Sequence, residues 1–174
     1  MTNPPSISGA AGWRRRAPGG RDRRESERAI AHWEEKQREL GGEATVAALD
    51  LGSIDSPQWA NRFLIAADPV IERSLLLLYG GKFAELLELP ERARTDLPIV
   101  RQLPARFAEL FLRGCSEIRK AAAAVRLEGE VARDDGRIEQ YRAGFVSVGV
   151  RPRALTWLAF GAFNSRVVEA AGAG

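Results

Sequence analysis

The chain has only one cysteine and one histidine among its 174 residues. A single cysteine cannot form an intramolecular disulfide, and these two residues supply too few nitrogen and sulfur ligands for a tetrahedral zinc site. The sequence therefore excludes disulfide-rich secreted domains and zinc modules, and no metal ligand set is predicted.

Long apolar runs are also missing. No run approaches the roughly 18 to 20 residues that a membrane-spanning helix needs, and the arginines near the amino terminus precede no apolar stretch of a signal peptide. With 45% hydrophobic residues, the chain can still bury a core of normal depth. We therefore expect one cytoplasmic domain, placed at residues 25–168.

Acidic residues are scarce in residues 1–24, which carry six arginines against one aspartate. This stretch is rich in proline and glycine and has little that could fill a core, so it is predicted to be a disordered basic arm. A solvated arm is favoured over one that contacts nucleic acid or a membrane, because Trp13 is its only aromatic residue. Residues 169–174 are predicted to be a flexible tail.

Residues 25–40 are predicted to form an amphipathic helix that a glycine pair ends. Its apolar stripe recurs at spacings of three and four residues: Ile30, Trp33, Gln37 and Leu40. The three apolar members need a surface to cover. That surface is either a sheet of the same chain or a second copy of the protein.

Five segments with apolar or alternating patterns are predicted to be strands. They span residues 62–67, 74–79, 125–133, 137–150 and 155–168. Asp68-Pro69 and Asp134-Asp135-Gly136 mark the turns of two hairpins. The last segment is apolar on both faces, so we expect it to be central in the sheet and covered on both sides.

Helices and connectors are predicted before the first strand and between the two groups of strands. A single turn runs from Ser56 through Trp59, with irregular connectors over residues 44–54 and 91–102. A short helix covers residues 82–89 after the tight turn at Gly80-Gly81, and a long helix covers residues 105–124. The long helix has one apolar face that should pack on the sheet: Phe107, Leu110, Phe111, Cys115 and Ile118.

This order predicts an α+β fold, in which a five-stranded antiparallel sheet has helices on one face and an N-terminal amphipathic helix. It resembles the PAS fold. The helix with Trp33, the Leu49-Asp50-Leu51 segment, the Trp59 turn, and the later hairpin followed by Tyr141-Arg142 are similar to the PAS-like family common in alphaproteobacteria. The resemblance covers about residues 29–168.

The resemblance implies a sensory or protein-interaction module and not an enzyme. PAS domains bind a small ligand or a partner and pass the change outward through terminal helices. A flavin-photosensor motif is absent, and Cys115 lies instead in Arg113-Gly114-Cys115-Ser116. His32 lies outside the pocket in which haem-binding members place their histidine. No cofactor is therefore expected.

A small cone-shaped α+β enzyme of the isomerase or dehydratase type is the alternative. With only His32 available, such an enzyme would need an acidic residue in its cavity. The candidate acids fall in turns, connectors or polar helix faces: Asp50, Asp55, Asp68, Glu85, Glu88 and Glu109. Their spacing singles out none of them.

Candidate residues for a ligand cavity are Tyr79, Phe107, Phe111, Cys115 and Trp157. The competing interpretation is that these side chains simply fill the core, because aromatic residues at helical spacing usually pack. Partners implied by the resemblance are a second copy of the chain, a separate signalling protein, or an unidentified small ligand.

Overall fold

Five antiparallel strands form one sheet in a computed structural model, which describes residues 21–42, 44–49, 56–121, 123–149 and 157–169. The strands are β1 (Arg62–Ala67), β2 (Leu75–Tyr79), β3 (Val125–Ala132), β4 (Ile138–Gly149) and β5 (Trp157–Val168). Their order across the sheet is β2-β1-β5-β4-β3. A leading hairpin and a trailing three-strand meander therefore meet where β1 pairs with β5.

Four α-helices flank the sheet within the same described ranges: α1 (Arg21–Leu40), α2 (Gly81–Leu86), α3 (Ile99–Gln102) and α4 (Ala105–Lys120). The start of α1 lies four residues inside the region predicted as a basic arm, and α3 lies in a predicted connector. The predicted end of α4 at residue 124 is wrong. Ala121 is already extended (φ −104°, ψ 131°) as the chain turns towards β3, so the path of the chain overrides the helix propensity of alanine.

The described backbone also contains 3-10 turns, one of which, Ile71–Arg73, lies between β1 and β2. Pro57–Trp59 forms the turn predicted after Ser56, and Val46–Leu49 forms a turn within the predicted connector. Several predictions concern residues outside the described ranges: the arm over residues 1–20, the acids Asp50 and Asp55, Leu155, and the tail over residues 170–174. No helix among the described residues has the length and apolarity to cross a membrane.

The central position predicted for the last strand is confirmed. β5 pairs with β1 on one side and with β4 on the other. Its side chains alternate between two apolar clusters, with Phe163 and Ala159 on one face and Phe160 and Leu158 on the other. A strand with both faces covered must be apolar on both, which explains its composition.

One face of the sheet carries α2, α3 and α4, and the cluster between them is here called the inner core. The whole predicted apolar face of α4 is buried in it: Phe107, Leu110, Phe111, Cys115 and Ile118. The second face carries α1, whose Ala29, Ile30 and Trp33 pack with Val146 and Phe160 in an outer core.

These layers give the predicted α+β, PAS-like fold. Helices cover one face of a five-stranded antiparallel sheet, and an N-terminal amphipathic helix covers the other. Leu40 is the exception in the predicted stripe. It is 55% exposed and does not cover the sheet, because it lies in the last turn of α1 beyond the buried part of the helix.

Candidate functional site along the N-terminal helix

The predicted cavity residues other than Trp157 are core side chains. The Phe107 ring lies 5.1 Å from the Phe163 ring between centroids, and the Phe111 ring lies 5.3 Å from the Phe63 ring. Such edge-on contacts are favourable aromatic packing. Tyr79 stacks on Phe83 at 5.5 Å. These contacts favour the interpretation that the rings fill the inner core.

The inner core also holds two polar groups, the Tyr79 hydroxyl and the Cys115 thiol. The Tyr79 hydroxyl donates a hydrogen bond of 2.7 Å to the Pro90 carbonyl oxygen. Burial raises the pKa of the Cys115 thiol to about 12, so the sulfur stays protonated at neutral pH. A protonated, buried thiol is a poor nucleophile and a poor redox sensor.

Trp157 lies apart from the other predicted cavity residues. It is 38% exposed and borders a shallow groove of about 360 Å³ with Trp33, Gln37 and Ile118. This groove is lined by none of the other four predicted cavity residues.

Glu139 is the buried acid of the described residues, with only 2% of its surface exposed. Its Oε2 accepts hydrogen bonds from Arg133 Nη1 at 2.8 Å and Arg106 Nε at 3.0 Å. Its Oε1 accepts a third from Ser165 Oγ at 2.6 Å. Glu139 therefore joins α4, the turn after β3 and β5 through these three hydrogen bonds.

The acids considered for an enzyme do not meet in a cavity. Glu85, Glu88 and Glu109 are exposed, and Asp68 uses Oδ1 to accept a 2.8 Å hydrogen bond from the Val70 amide in a turn. None of these four acids has the buried setting expected of the general acid or base of a cone-fold enzyme.

The interface between α1 and the sheet combines a partly buried hydrogen bond with close packing. Trp33 Nε1 donates a hydrogen bond of 2.9 Å to the Ser147 carbonyl oxygen, so the indole is anchored as well as buried. Ile30 sits directly over Gly144, where a Cβ would lie 3.0 Å from Ile30 Cδ1. A glycine at this point of β4 lets α1 approach the backbone closely.

An ion pair holds one edge of α1 and a hydrogen bond holds the other. On one edge, Arg126 of β3 forms a two-point contact with Glu27, with Nε–Oε1 and Nη2–Oε2 distances of 2.8 and 3.1 Å. On the other edge, Arg62 Nη1 lies 3.2 Å from His32 Nδ1. Because arginine can only donate, His32 Nδ1 accepts, and the proton of the neutral ring lies on Nε2.

The environment of His32 favours that neutral ring. Burial lowers the pKa of His32, and the positive charges of Arg62 and Lys36 lower it further, while Glu35 and Glu39 act in the opposite direction. At neutral pH the imidazole is therefore a hydrogen-bonding group of the interface and not a cation.

Sequence reasoning did not identify Arg62, Ser147 or Arg126. Arg62 had a usable signal, because it is a charged residue at the start of a short apolar strand whose following residues are all candidates for burial. Its place beneath α1 depends on contacts between segments about thirty residues apart, which no local pattern reveals.

Neither a protein-family model nor a curated protein matches the chain. Among solved structures, the chain is similar to the PAS domain of an HTR-like protein from Haloarcula marismortui, with 15% sequence identity and a TM-score of 0.33. That match covers 78% of this chain and 99% of the other.

Proposed function

We propose that the chain is a non-catalytic, cytoplasmic PAS-like module of sensing or protein interaction, and that α1 is the element that passes a signal to a partner. The proposal includes membership of the PAS-like family common in alphaproteobacteria. The observation that carries it is the asymmetry of the two faces. A filled inner core lies on one side of the sheet, and α1 is the α-helix of the described residues that packs on the other, together with Leu49 and Trp59 of two 3-10 turns.

A partner can bind the exposed side of α1 without displacing the helix from the sheet. Ile30 and Trp33 anchor one side of the helix, while Glu34, Arg38 and Leu40 are exposed on the remainder. A partner that binds the exposed side would act on the same helix that the sheet holds by its buried side. We therefore place the interaction on α1, with a second copy of the chain as the first partner to test.

Sedimentation velocity of the full chain at several concentrations tests this proposal. We expect a concentration-dependent dimer that Leu40→Glu weakens at least tenfold, because a charge replaces an exposed apolar group on α1. Val70→Glu is the matched control, since Val70 is 48% exposed in the turn between β1 and β2.

A monomer at every concentration would contradict the homodimer, and equal effects of the two variants would contradict the role of α1. Deletion of residues 1–40 is unsuitable as a test, because Ile30 and Trp33 belong to the outer core and their loss would expose the sheet.

A further inference from the structure

Arg62 is a buried cation at the start of β1. It is 3% exposed, and its guanidinium carbon lies 5.6 Å from the centre of the Phe160 ring. Its Nε is buried without a hydrogen-bond partner. A buried charge is costly unless other groups compensate it, and a ring face with one imidazole nitrogen compensates it only in part.

Arg62 makes no ion pair with any carboxylate of the described residues, by the usual 4.0 Å limit. Glu25 is the acid whose charge most favours the guanidinium, but its Oε1 lies 3.2 Å from Arg28 Nη1. Burial lowers the pKa of Arg62 in spite of Glu25. The positive charge of Arg62 is therefore buried without a paired carboxylate among the described residues.

A groove of about 660 Å³ lies between α1 and the turn before β1, and Arg62 is one of the residues that line it. Its polar lining includes Arg28, His32, Arg38 and Gln58 as possible donors, together with Glu25 and Glu35. The neutral His32 ring uses Nδ1 towards Arg62, so its Nε2–H remains a donor. A guanidinium, an imidazole N–H and a carboxamide are groups that bind oxyanions.

We propose that this groove binds a small molecule through its oxyanion group, a carboxylate or a phosphate, with Arg62 as the principal contact. The bound anion supplies the counter-charge that Arg62 lacks, and the fork formed by its two Nη groups can donate to a planar pair of oxygens, since Nε is covered by protein. The groove has room for more than the anionic group, as ligand pockets usually do. The site goes beyond the proposed function, because it stands whether or not α1 binds a partner.

Thermal unfolding and titration calorimetry of the full chain at about pH 7.5 test the site. Inorganic phosphate and succinate are compared with potassium chloride at matched ionic strength. We expect one or both oxyanions to raise the Tm by about 3 to 5 °C for each tenfold increase in concentration above Kd, with no such rise in chloride. A response to phosphate alone assigns a phosphate ligand, and a response to succinate alone assigns a carboxylate.

Variants of Arg62 identify the contact. Arg62→Met should abolish the oxyanion response, and Arg62→Lys should raise the Kd at least fivefold because it keeps the charge but loses the fork. Arg101→Gln is the control, since it removes an exposed positive charge on α3 and should leave the response intact.

The proposal also predicts the behaviour without oxyanion. Arg62→Met should then unfold at the wild-type Tm or above, because it removes a buried charge that has no acidic partner among the described residues. If Arg62→Met does not fold, the Arg62→Lys titration decides. Equal responses to oxyanion and chloride in the wild type, or an unchanged Kd in Arg62→Lys, would overturn the proposal.

Discussion

His32, at the scale of single residues, links the stability of the chain to pH. It is the only histidine, and burial together with Arg62 and Lys36 holds its pKa below 6.5 in the folded chain. The unfolded chain therefore binds a proton at His32 more readily than the folded chain does. The contribution of His32 to stability is complete above about pH 6.5 and is lost as the pH falls through the lower folded pKa.

Urea unfolding at about pH 7.5 and pH 5.5 measures this effect. We expect the wild type to lose more stability between these two pH values than His32→Gln, whose side chain can still accept a hydrogen bond from Arg62 but does not titrate. An identical loss in both proteins would show that His32 is not the group responsible.

Gly80 and Gly81 are adjacent glycines, but only Gly81 has room for a side chain. A Cβ on Gly80 would overlap the backbone carbonyl oxygen of Trp59, whereas a Cβ on Gly81 would meet nothing within 4 Å. We expect Gly80→Ala to cost more than about 2 kcal/mol of unfolding free energy, because backbone cannot move aside as a flexible side chain can.

Gly81→Ala is the matched control for Gly80→Ala. Gly81 is the first residue of α2, where alanine favours the helix, so we expect stability to be unchanged or to rise by up to about 1 kcal/mol. Similar losses in both variants, measured by urea unfolding, would contradict the steric account.

α1, at the scale of secondary-structure elements, is both part of the fold and the proposed contact surface. We expect Trp33→Ala to cost about 3 to 5 kcal/mol, because it removes a buried ring from the outer core together with its hydrogen bond. Leu40→Ala on the same helix should change stability by less than about 0.5 kcal/mol, since Leu40 is exposed. Urea unfolding of both variants, with circular dichroism to check the fold, measures the difference.

The same helix shows which part of its burial the sequence pattern predicts. The spacing of Ile30 and Trp33 predicts a buried stripe, and both are buried. The pattern continues to Leu40, but the sheet does not extend beneath that turn. A helical stripe shows which residues share a face, and only the partner element shows where burial ends.

The two cores, at the scale of the whole molecule, should unfold together. β5 contributes Phe163 to the inner core and Phe160 to the outer core, so neither core can lose its packing without exposing the other face of the same strand. We expect tryptophan fluorescence, to which outer-core Trp33 contributes, and thiol labelling of inner-core Cys115 to report the same urea midpoint. Labelling of Cys115 well below the fluorescence midpoint would indicate that the inner core opens separately.

The candidate site was less accessible to sequence analysis than the fold. The spacing from Phe107 to Ile118 predicts an apolar face that packs on the sheet, and these side chains are buried there. A face that packs well leaves little space for a ligand. No local sequence pattern predicts the contact between Arg62 and His32, because that contact depends on how α1 crosses β1.

The amino-acid order alone determined the five strands, the helices other than α3, the central position of β5 and the sandwich around it, because periodicity, turn residues and two-sided apolarity are local properties. Tertiary structure alone decided that Glu139 is neutralised by two arginines, that Trp157 remains partly exposed, and that Arg62 is buried beneath α1. These outcomes depend on contacts between distant segments. Burial and charge compensation belong to the assembled layers and not to any single stretch of chain.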